Sequence, residues 1–136
     1  MSDTIFGKII RGEIPSTFLY EDEHCIAIND INPQAPVHVL VIPKGRYVSW
    51  ADFSKQASPE EITGFVRAVG TVGEMLGLEA PGYRLLANAG LDAHQEVPHL
   101  HVGAEGGVPD GRRIVGHGRS DGPLAARVGR GLAGAA

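Results

Sequence analysis

The sequence predicts an α+β domain built on an antiparallel sheet, and three observations carry that expectation. Strand-like stretches follow one another directly, at residues 17–21, 25–29 and 37–43, with only short polar connections. One long segment, from Pro59 to about Leu76, carries apolar residues at helical spacing. Two further strand-like stretches close the readable part, at 82–88 and 96–102, so the order is α-β-β-β-α-β-β, without the regular βα alternation of a parallel sheet. At 136 residues the chain suffices for one domain with one hydrophobic core.

Each element has its own cause. Ile5, Phe6, Ile9, Ile10 and Ile14 recur near helical spacing, with Asp3 or Thr4 as N-cap and Gly12 as the stop. Ile14-Pro15 leads into the first strand, and the polar turn Glu21-Asp22-Glu23-His24 makes a hairpin with the second. Asp30-Ile31-Asn32-Pro33-Gln34-Ala35-Pro36 reads as a loop. Val37 to Pro43 is apolar on both faces apart from His38, as in a central strand covered on both sides. Val48 to Phe53 shows no clear period. Ser58-Pro59-Glu60-Glu61 is a helix start, with Ser as N-cap, Pro at N1 and Glu closing a capping box. Gly64, Gly70 and Gly73 weaken the helix that follows by about 1 kcal/mol each against Ala, so close packing against a sheet or a partner must hold it.

The chemistry concentrates in Val97-Pro98-His99-Leu100-His101-Val102. Read as a strand, the stretch puts His99, His101 and Val97 on one face. Two imidazoles side by side serve metal ligation, acid/base work or nucleophilic attack, or are simply two surface histidines. Beyond Val102 the pattern stops: ten of the 19 glycines lie in residues 103–136, which show no helical or strand period.

Taken together, Ile5-Phe6-Gly7-Lys8-Ile9-Ile10-Arg11-Gly12-Glu13-Ile14-Pro15, the stretch from Asn29 to Lys44, Gly82 to Gly90 and the histidine pair resemble the histidine-triad (HIT) superfamily, in its branch of nucleoside phosphoramidases. The resemblance runs from about Thr4 to Val102 and implies a HIT-like domain over residues 1–102, with an atypical Gly/Arg/Ala-rich tail over 103–136. It also implies a meandering antiparallel sheet with one long helix, paired as a homodimer. By position it assigns His101 as the nucleophile that forms a nucleotidyl-histidine intermediate, with His99 and His38 beside it. Asp30 matches the acceptor of the ribose hydroxyls. Asn88 and Gln95 match residues at the phosphate or leaving group. Ile5, Phe6, Ile9, Ile28 and Ile31 fall where a purine base packs, and Val97, on the face of the histidines, counts with the nucleotide-binding residues. The implied substrate is a purine nucleoside monophosphate adduct, with no cofactor and no metal. One departure stands out: the family reads His-φ-His-φ-His-φ-φ with φ apolar, whereas this chain reads His99-Leu100-His101-Val102-Gly103-Ala104-Glu105.

Composition narrows the alternatives. A net charge of −4 and a pI of about 5.8 argue against a nucleic-acid backbone or an acidic membrane as partner. No apolar run reaches membrane-spanning length, and the polar start does not read as a signal peptide. A single cysteine, Cys25, excludes an internal disulfide and fits a reduced cytoplasmic setting. Two readings compete with the hydrolase: a nucleotide-binding dimer with little turnover, and a metal site drawn from His38, His94, His99 and His101, with Cys25 more remotely.

Overall fold

The computed structural model describes residues 3–107; the expected tail beyond Gly107 lies outside them. The elements are α1 (Ile5–Ile10), β1 (Tyr20–Glu21), β2 (Cys25–Asn29), β3 (Val37–Pro43), α2 (Trp50–Gln56), α3 (Pro59–Met75), β4 (Arg84–Leu86) and β5 (Val102–Gly106), with a short 3-10 turn at Leu91–Ala93 between the last two strands. The strands form one sheet in the order β1-β2-β3-β5-β4, antiparallel throughout. The α+β expectation with an antiparallel sheet therefore holds.

Strand β3 is apolar on both sides because it has a core on each. Val39 and Val41 point toward α2 and α3, with Cys25 and Ala27 of β2, and meet Phe53, Phe65, Ala68, Val69 and Val72. Leu40 and Ile42 point the other way, with Ile26 and Ile28, and meet Phe6 and Ile9 of α1. Phe65, 1% exposed and in ring contact with Trp50 and Phe53, anchors the first cluster. Truncating such a residue to Ala costs about 3–5 kcal/mol.

The capping predictions hold at both helices that carry them. Thr4 Oγ1 accepts the Gly7 N–H at 3.1 Å, and Gly12 takes φ +77 just past α1. Ser58 and Glu61 exchange bonds of 3.1 Å each at the start of α3. Two of the α3 glycines admit close neighbours: an added Cβ at Gly64 would lie 2.6 Å from His24 Cδ2, and one at Gly73 would lie 2.7 Å from Tyr83 Oη.

Three differences from the sequence reading have physical causes. The unassigned stretch after Val48 forms α2, nucleated by Asp52, whose carboxylate accepts the N–H groups of Val48 and Ser49 at 2.8 and 2.7 Å. Strands β1 and β4 are shorter than the expected 17–21 and 82–88. The largest difference concerns the histidine stretch, expected as a strand over 96–102. The strand begins at Val102, opposite Val41, and continues through Gly106, opposite Val37. Pro98 has no N–H to donate, and Leu100 N–H bonds Tyr47 C=O at 2.7 Å instead of a sheet neighbour. The boundary expected after Val102 therefore falls inside a buried strand at the heart of the sheet.

Candidate active site

Although the histidine segment is not a strand, its side chains still alternate. Leu100 is buried among the residues under α3. His99 and His101 lie on the opposite side, against the ring of Phe6: centroids are 6.2 and 5.0 Å apart, both edge-on. Helix α1 thus covers the two imidazoles. Phe6, Ile9 and Ile28, three of the residues expected to pack a base, come together in one apolar cluster there, with Val97 packed against them. Ile5 and Ile31 do not join it; they are 46% and 97% exposed.

Hydrogen bonds fix the tautomer of each ring. His101 Nδ1 lies 2.8 Å from the carbonyl oxygen of His99, which can only accept, so the proton sits on Nδ1 and the lone pair of the neutral ring on Nε2. His99 Nε2 donates in the same way to Pro43 C=O at 2.9 Å. Burial holds the His99 pKa below its ordinary 6.5 against that bond, and the charges of His101 and Arg46 add to the depression. His99 is therefore a neutral, rigid support, and its carbonyl orients His101.

His38 enters from the start of β3, 3% exposed. Its Nδ1 accepts the Gln34 N–H at 3.0 Å, which places the ring proton on Nε2. Nε2 faces two carboxylates, Asp30 Oδ2 at 3.4 Å and Glu105 Oε1 at 3.5 Å. Asp30 also accepts the Asn32 N–H at 2.8 Å and keeps a fifth of its side chain exposed. A Cβ added to Gly103 would lie 3.1 Å from His38 Nε2, so the residue in the third histidine's position does adjoin the site.

Other sequence candidates fall around this centre. The Gln95 amide is committed to backbone: it accepts from Gly90 N–H at 2.9 Å and donates to Val48 and Val97 C=O at 2.5 and 3.1 Å. It braces the loop ahead of the histidines. Asn88 is half-buried just after β4. His94, at φ +58, is exposed at the end of the 3-10 turn. Cys25 lies among the residues under α3, across the sheet from the histidines, and burial pushes its thiol up to about 12. Among the described residues no three His, Cys, Asp or Glu side chains converge as a metal site. Glu105, seen in the sequence only as a departure from the motif, and its partner Arg84 were not singled out as site residues; the available signal was a carboxylate at a position the motif reserves for an apolar side chain.

The HIT domain family model matches residues 11–103 of the chain. The chain belongs to the HIT family. Among its HIT relatives is an uncharacterised 13.2 kDa HIT-like protein of Azospirillum brasilense, 56% identical over 100 residues, covering 74% of this chain and 82% of that one. The purine nucleoside phosphoramidase of Escherichia coli K12 is 40% identical over 114 residues, covering 83% and 94%. A HIT family hydrolase of Legionella pneumophila superposes with a TM-score of 0.74 at 34% identity, covering 83% of this chain and 96% of that structure. No helix among the described residues is long and apolar enough to cross a membrane.

Proposed function

We propose that this chain hydrolyses purine nucleoside monophosphate amidates through a covalent intermediate on His101. The observation that carries the reading is the His101 tautomer, with Nδ1–H tied to the His99 carbonyl and the Nε2 lone pair left for phosphorus. Nε2 attacks the phosphorus, the P–N bond to the leaving amine breaks, and the amine takes its proton from solvent water. Water then cleaves the P–Nε2 bond, releasing the monophosphate and the free imidazole. Phe6, Ile9, Ile28 and Val97 offer the base an apolar wall, and Asp30 accepts from the ribose hydroxyls. The 40% identity to a purine nucleoside phosphoramidase supports the substrate class.

Gly103 favours a second reading, nucleotide binding with little turnover. Glycine supplies no proton donor, and a positioned acid or base contributes about 10²–10⁴-fold in rate. The test is a fluorogenic adenosine phosphoramidate assayed with this chain and with His101→Ala. Slow turnover, lost in His101→Ala while adenosine monophosphate still binds, supports the hydrolase. Equal rates in the two proteins leave binding alone.

A homodimer belongs to the same proposal. Strand β4 is a sheet edge, and beside it an apolar groove of about 440 Å³ is lined by Trp50, Val66, Val69, Leu85 and Ala87 among others. Trp50, Val66 and Leu85 are each about half exposed, at 49%, 58% and 49%. A second copy would cover them by an isologous contact.

A further inference from the structure

Arg84, Glu105 and His38 stand directly opposite one another on β4, β5 and β3. Arg84 Nη2 reaches Glu105 Oε2 at 3.0 Å, Glu105 Oε1 lies 3.5 Å from His38 Nε2, and His38 Nε2 lies 3.4 Å from Asp30 Oδ2. The result is a polar line across the sheet that ends on the carboxylate assigned above to the ribose. Its centre is buried: the side chains of Glu105 and His38 are 0% and 1% exposed, while Asp30 opens to solvent at 20%. A buried carboxylate persists only when it is partnered, and Arg84 and His38 partner this one.

The decisive feature is the near-equality of the two distances at His38 Nε2. That nitrogen carries the ring proton, because Nδ1 accepts from Gln34 N–H. It therefore stands between the Asp30 and Glu105 carboxylates, at 3.4 and 3.5 Å, without closing on either. A carboxylate has about four acceptor sites; Asp30 commits one to Asn32 N–H, and its Oδ2 lies 3.4 Å from His38 Nε2. With 20% of its side chain exposed, the rest of its acceptor capacity is open to a vicinal diol from solvent. Without the Glu105 charge, His38 would close on Asp30, draw Oδ2 inward and occupy the lone pairs that a ribose needs.

We propose that Glu105 is a positioning residue for sugar recognition, acting through His38 to hold the Asp30 carboxylate open to the two ribose hydroxyls. The proposal rests on the nucleotide reading above and adds a determinant of ribose over deoxyribose. The readout is the ratio of affinities for adenosine monophosphate and its 2′-deoxy analogue, measured by calorimetry. A purely structural role would weaken both ligands together and leave the ratio alone. This chain should prefer the ribonucleotide by about tenfold or more, as expected for hydrogen bonds to a charged acceptor. Asp30→Asn should bring the ratio near one. Glu105→Leu should do nearly the same, Glu105→Gln, which keeps an acceptor oxygen, should fall between, and Asp30→Asn with Glu105→Leu should lose nothing more. Because Glu105→Leu breaks the Arg84–Glu105 ion pair, the paired Arg84→Met/Glu105→Leu variant, which removes both of its charges, repeats the measurement without a broken pair. An unchanged ratio in the paired variant, with the ratio lost in Asp30→Asn, overturns the role of Glu105 and leaves the nucleotide reading standing. No discrimination by the unaltered chain, or no binding, overturns both.

Discussion

Gly103→Ala adds one methyl group at the point where the chain departs from its family. The new Cβ would sit 3.1 Å from His38 Nε2 and 3.7 Å from Leu86 C=O. Carbon contacts settle near 3.5–4.0 Å, so one side must give by roughly half an ångström. The imidazole is poorly placed to move: Nδ1 is bonded to Gln34 N–H, and Nε2 lies between two carboxylates. Overpacking a tight site costs about 1–3 kcal/mol, against which Ala in place of Gly within a strand returns roughly 0.5–1 kcal/mol. The balance is a loss of about 1 kcal/mol, or a Tm lower by about 4 °C for a chain of this size. Differential scanning calorimetry reads it directly. A Tm that is unchanged or raised would show that His38 yields freely and would refute the crowding. The same crowding bears on repair of the motif: Gly103→His alone should restore little activity, since its Cβ meets the same obstacle.

Three further outcomes follow from the geometry. The folded pKa of His99 lies below 6.5, so the unfolded chain binds a proton more readily; the stability due to neutral burial is complete above 6.5 and drains away as pH falls toward the folded value. Urea midpoints between pH 8 and 5 should therefore decline, and His99→Gln should flatten the curve. Gly64→Ala should bring no gain, because its Cβ meets the His24 ring at 2.6 Å, whereas in a His24→Ala background the same change should stabilise by about 1 kcal/mol in thermal melts. Light scattering should give twice 14.4 kDa for the intact chain and the single mass for Leu85→Lys, which puts a charge into the apolar groove; the single mass for both would refute the dimer.

The sequence disclosed most where one residue has one physical meaning. Ser58-Pro59-Glu60-Glu61 announced α3, and the two-sided apolar run of β3 announced a central strand. It disclosed less where length or composition misleads. Helix α2 is seven residues, too short for a period to emerge, and only Ser49-x-x-Asp52 hinted at it. Residues 103–106 read as the start of a featureless tail, yet at 103 and 106 a residue without a side chain is what this strand requires. Gly103 adjoins His38, and a Cβ at Gly106 would lie 2.8 Å from Leu78 Cδ2. His38 was legible as a buried histidine, but its carboxylate neighbours come from a loop and another strand, and only the register brings them together.

Trp50 is the sole tryptophan of the chain. It stands at the lip of the apolar groove, half in water, with the rings of Phe53 and Phe65 within 6.4 and 6.2 Å. Its indole emission is therefore a built-in optical gauge of that face. Anything that seats over α2 and α3 strips water from this one fluorophore and moves its spectrum to the blue, whereas a ligand held on the histidine side of the sheet leaves the colour alone. Unlabelled protein in a cuvette can thus separate occupation of one face from occupation of the other.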